Sequence, residues 1–178
     1  MADRPRNIWS YRGTFIFLVA AVGFVQLLPL HPGPGGMPGP DIILLIALSW
    51  VVMRPDFVPV MLLAAVFLIA DLLFMRPPGL WTALAILGTE FLRGRHVQLR
   101  AASFFTEWLL IAGLITGMTL VNGLVLLIFG VDQASVGLTI IRLIFSILAY
   151  PIVVILAGRA FGVRKVRAGD NDQRGVRV

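Results

Sequence analysis

The chain has 178 residues, of which 58% are hydrophobic and only 13% charged, with a formal charge of +6. Soluble domains carry roughly 25% charged residues, so this chain lacks the polar surface to be soluble. Its length leaves room for about six membrane spans of ~20 residues each and little else. Cysteine is absent, which excludes disulfides and cysteine-ligated metals. The cations flank apolar segments as they do in cytoplasmic loops, so the positive charge points to topology and no nucleic-acid partner is expected.

In chain order, residues 1–13 form a basic amino-terminal stretch carrying Arg4, Arg6 and Arg12. The first apolar segment, Thr14–Leu30, resembles a signal peptide in its flanks, but no small-residue cleavage site follows, so it is expected to be a retained anchor. The connection His31–Pro40 reads HPGPGGMPGP, too rich in glycine and proline for a regular element. Five further apolar segments are predicted at Asp41–Met53, Phe57–Phe74, Gly79–Leu92, Phe104–Phe129 and Val136–Phe161. After them comes a basic, polar tail, 162–178, of disorder-prone composition. Residues 14–161 are thus one all-α integral membrane domain, a polytopic bundle of about six transmembrane helices.

With the amino terminus inside, six spans return the carboxyl terminus inside. Thirteen of the fifteen cations then fall on the cytoplasmic side, leaving Arg76 and Arg142 on the other, as the positive-inside rule requires. Trp9, Tyr11, Trp50, Trp81 and Trp108 lie near segment ends, where an aromatic belt is expected. The second and fourth segments are short, about 20 Å of helix against a ~30 Å hydrocarbon core. Four spans with two re-entrant segments would keep the same cation count, so charge alone does not choose between the two layouts.

Few residues carry chemistry. Asp71 lies about 4–5 Å inside its segment boundary and Arg142 about 9 Å inside its own. Six spans put both in the same leaflet, where opposite charges stabilise each other, so Asp71 and Arg142 are the expected intramembrane ion pair. Snorkelling of Arg142 and hydration of Asp71 is the plainer alternative. Glu90 and Arg93 are spaced to meet on one helix face, and Glu107 reads as an interface charge. Gly113 and Gly117 form a GxxxG face for helix packing, with Thr116, Thr119 and Asn122 as interhelical hydrogen-bonding groups. Pro151 interrupts the last segment. His31 and His96 fall in different loops, and no metal site or cofactor is expected. No HExxH, GxSxG or Walker sequence and no paired intramembrane carboxylates occur, so the chain is not expected to be an enzyme.

Between Pro40 and Leu87 the chain resembles a known family. PDIILL, then Arg54-Pro55, then an apolar run into Asp71-Leu72-Leu73 and the turn Pro77-Pro78-Gly79 are similar to the MreD family, the small membrane subunit of the bacterial rod-shape system. The family pattern reads approximately G-L-L-x-D-L-L, a short polar link, then P-L-G. Here Phe67 stands where the family commonly has glycine, and the link carries Phe74-Met75-Arg76.

The resemblance implies a non-enzymatic subunit of the elongation machinery in the bacterial inner membrane. It would bind MreC, and through it RodA, the partner transpeptidase and MreB, in support of side-wall peptidoglycan synthesis and cell shape. Asp71, Leu72, Leu73, Arg76, Pro77 and Gly79 would be the motif residues. It also implies a fold similar to the substrate-binding subunits of energy-coupling-factor transporters. That likeness supplies the rival reading, a small-ligand or lipid-binding subunit of a transporter, for which Asp71, Arg76, Arg142 and Gln26 are the polar groups on offer.

Overall fold

The computed structural model describes residues 4–28, 39–131, 133 and 135–160. Most of the glycine- and proline-rich connection and the whole tail 162–178 lie outside the described residues. The regular elements described are all helical: α1 Arg4–Leu27, α2 Ile42–Met53, a 3-10 turn Pro55–Phe57, α3 Val60–Leu73, α4 Leu80–Gly94, α5 His96–Ala101, α6 Phe104–Ile128 and α7 Val136–Ala160. Three stretches are long and apolar enough to cross a membrane, Ile8–Leu27, Phe104–Ile128 and Val136–Gly158; α2 and α3 are apolar but shorter. The boundaries follow the predicted segments closely, except that α1 takes in most of the basic stretch by starting at Arg4 instead of Thr14, and that α5, with His96 at its start, occupies a stretch expected as a loop.

The core is built around α2. Its sequence, IILLIALSWVVM, is apolar on every face, and such a helix belongs inside a bundle. Every residue from Ile43 to Met53 is buried, enclosed chiefly by α7 and α4 with α1 alongside. Trp50, expected in an aromatic belt, is instead 1% exposed, with its ring 5.4 Å from that of Phe15. The long helices do the opposite. α1, α6 and α7 turn Phe17, Phe24, Leu127, Ile128, Leu148 and Ile152 outward. In water such surface costs roughly 25 cal/mol per Å², whereas hydrocarbon accepts it.

Apart from the short α5, successive helices alternate in direction between two ends. At one end Asp41, just before α2, meets Arg76, just after α3, and Arg142 in the second turn of α7. A Cβ placed on Gly23, late in α1, would lie 4.0 Å from Ile43 Cδ1 at the same end. At the other end Arg93, near the close of α4, donates to the carbonyls of Pro55 and Val58 at 3.2 and 2.8 Å. There too Tyr11 of α1 stacks on Phe57 with ring centroids 4.4 Å apart. Glu90 and Arg93 do pair: Nε lies 2.9 Å from Oε1, although its N–H is not aimed for a hydrogen bond.

A proline explains how α6 and α7 are joined. Pro151 has no N–H to give to the carbonyl four residues earlier, which is that of Ile147. The Trp108 indole Nε1 donates to this Ile147 oxygen at 3.0 Å. One residue away on each helix, the Tyr150 hydroxyl donates to Glu107 Oε1 at 2.8 Å. Glu107, read from the sequence as an interface charge, is only 2% exposed. The other polar groups expected to bridge helices do not. Thr116 and Thr119 donate to Ala112 and Ile115 of their own helix.

Gly113 and Gly117 have nothing within 4 Å of a Cβ placed on either. They line an open apolar groove between α4 and α6 and are not a packed face within the chain. The close approach between these helices uses Gly88 of α4, where a Cβ would sit 3.0 Å from Met118 Sδ.

Candidate functional site

The motif residues of the sequence converge on the α3–α4 turn. Asp71 sits in the last turn of α3 with 0% exposure. Its Oδ2 accepts from the backbone N–H groups of Gly79 and Thr82, both at 3.1 Å, and from the Thr82 hydroxyl at 2.7 Å. The first N–H groups of a helix have no partner within it, and α4 starts at Gly79, which has no side chain to cap it. Asp71 therefore caps the next helix from the end of the previous one. Its charge also lies against the positive end of the α4 dipole. At 0% exposure Asp71 does not reach the headgroup water expected for a lone boundary carboxylate.

The turn between the two helices is tightly specified. Arg76 N–H donates to Asp71 O at 2.9 Å and Met75 N–H to Leu72 O at 3.3 Å, the paired closure of a Schellman motif. Met75 holds the left-handed position with φ 51°, and Gly79 takes a second positive φ of 91°. Pro77 and Pro78 lack the N–H needed to extend α3. The result pushes Leu72, Leu73 and Met75 outward, Met75 to 95% exposure.

Beside this turn lies a second carboxylate, Asp41. Its Oδ1 accepts from Leu44 N–H at 3.3 Å and caps α2. Its Oδ2 meets the Arg142 guanidinium at 2.9 Å and that of Arg76 at 3.5 Å. The Asp41 backbone N–H donates to Ser146 Oγ at 3.0 Å, and that hydroxyl donates to Arg142 O at 2.8 Å. α2 is thus fixed to α7 through both main chain and side chain. Burial lowers the Arg76 pKa from its ordinary value, against the pull of Asp41 and Asp71. Its guanidinium also lies 5.3 Å and 5.8 Å from the Phe74 and Trp81 ring centroids, within cation–π range.

The expected Asp71–Arg142 pair is not formed. Arg142 pairs with Asp41, while Asp71 is held by donors eight and eleven residues downstream in its own hairpin. Equal depth was a correct guide to the end of the bundle but not to the partner. The missed residue, Asp41, carried a legible sign: an acid directly before a long apolar run is an N-cap signature.

Asp41, Arg76 and Arg142 line a cavity of about 320 Å³ between α2, α4, α6 and α7. Thr119, Asn122, Gln133 and Thr139 add polar atoms to its wall. Gln26, considered with these groups, is exposed on α1 and not in the lining. Among the described residues no cluster of three or more histidines and acids is placed to hold a metal ion. The chain matches no family model, no curated protein and no solved structure.

Proposed function

We propose that the protein is a non-enzymatic, multi-pass subunit of the bacterial wall-elongation machinery, of the MreD kind, seated in the inner membrane by six helices with both termini cytoplasmic. Its role is to bind MreC and, through it, to support RodA and the partner transpeptidase in side-wall synthesis. The observation that carries this reading is the Asp71–Gly79–Thr82 lock. The residues on which the family resemblance rests form one connected structural device. It presents Leu72, Leu73 and Met75 outward beside Arg76, a surface suited to a partner's apolar segment. Alternating long helices, and the thirteen cations that the sequence assigns to cytoplasmic segments, support the topology.

Affinity purification of the tagged chain from its native membranes in mild detergent tests the reading. MreC together with wall-synthesis enzymes is the expected recovery. An ATPase module with a membrane coupling subunit, and no wall enzymes, would replace this reading with a transporter subunit. The second reading is favoured by one feature, the cavity at Asp41, Arg76 and Arg142.

A further inference from the structure

Two guanidiniums face one carboxylate in the cavity wall, and both forks are largely unspent. Arg142 uses one amino group on Asp41 Oδ2 and Arg76 uses one on the same oxygen. Their side chains remain 38% and 24% exposed. The remaining N–H donors of each are thus left for an acceptor from outside, and paired guanidinium forks are the usual protein recognition of phosphate. Asp71, the next acid, is turned onto the start of α4 and does not line the cavity. Asn122 lies in the same wall with no side-chain hydrogen bond among the described residues. Leu44, Ile115, Leu126 and Leu143 add apolar surface to the wall. A polar, cationic mouth beside an apolar lining is the pattern of a site for an amphiphile with an anionic head.

We propose that this cavity binds a phosphate headgroup between Arg76 and Arg142, with Asp41 holding the two guanidiniums apart and tempering their affinity. The inference is independent of the scaffold reading, since it rests on the cavity and not on the motif turn. The bound phosphate has two sources to separate, a membrane lipid and a free phosphate.

The test uses the purified full chain in nonionic detergent. Binding of dioctanoyl phosphatidic acid, of dioctanoylglycerol and of inorganic phosphate is followed by native mass spectrometry and by thermal protection. Saturable binding of phosphatidic acid with none of the diacylglycerol is expected. Inorganic phosphate that competes at comparable concentration would identify free phosphate as the occupant; failure to compete would identify the lipid. Arg76→Gln and Arg142→Gln should each weaken binding roughly tenfold. Asp41→Asn should strengthen it, because it removes the competing acceptor while asparagine still caps α2. This opposite sign keeps the test decisive if an arginine variant fails to fold. Equal binding of phosphatidic acid and diacylglycerol, or weaker binding by Asp41→Asn, overturns the proposal.

Discussion

A carboxylate inside an apolar bundle must be met by donors, and Asp71 is met by those closest along the chain. Three donors meet its Oδ2 while its Oδ1 is buried without a hydrogen-bond partner among the described residues, so the residue is a structural capping group first. Asp71→Ala should cost about 3 kcal/mol, the sum of a lost cap and buried donors left unmet. Asp71→Asn, which keeps an acceptor, should cost about 1 kcal/mol. Thermal unfolding in detergent checks the order; equal losses would mean that the carboxylate's charge alone matters. The turn makes a paired prediction. Gly79→Ala meets no atom within 4 Å, so its cost of about 1–2 kcal/mol comes only from the positive φ. Met75→Gly should move stability the other way by up to about 1 kcal/mol, since methionine already bears that strain at φ 51°.

Between helices, most polar side chains compensate the backbone. Pro151 removes one backbone hydrogen bond from the last segment without ending it, and α7 runs through it from Val136 to Ala160. What the sequence hid was the donor, Trp108, which lies 39 residues from the carbonyl it serves. A double-mutant cycle isolates this contact. Trp108→Phe should cost about 2 kcal/mol in the Pro151 background, where Ile147 O is left without a donor. With Pro151→Ala the new N–H bonds Ile147 O, and the added cost of Trp108→Phe should fall below about 1 kcal/mol. Equal costs in both backgrounds would remove the indole from this role and leave packing alone. The helices themselves were legible because hydrophobic runs and their breakers are local. Partners such as Asp41 with Arg142, 101 residues apart, were not, because no local pattern encodes which of two acids at one end a distant arginine selects.

At the scale of the molecule, the enclosed α2 bears on how the short helices relate to the long ones. The short second and fourth segments left six spans and four spans equally compatible with the charges. In the structure α2 and α4 each run the full way between the same two ends as α3. A re-entrant segment would turn back to the end from which it entered. The shortness of α2 has a packing explanation: it touches protein on all sides and need not match the ~30 Å of hydrocarbon that an exposed helix must, while α1, α6 and α7 are the long helices. A six-span arrangement places the two ends of α3 on opposite faces of the membrane. The absence of cysteine makes this directly measurable, with single cysteines at Asp56 and Met75, both exposed and at opposite ends of that helix. A membrane-impermeant maleimide added to intact cells with a permeabilised outer envelope should label Met75→Cys and spare Asp56→Cys. Inside-out vesicles should give the reverse. Labelling of both from one side would contradict a crossing α3, and labelling of Asp56→Cys alone from outside would invert the orientation drawn from the thirteen cations.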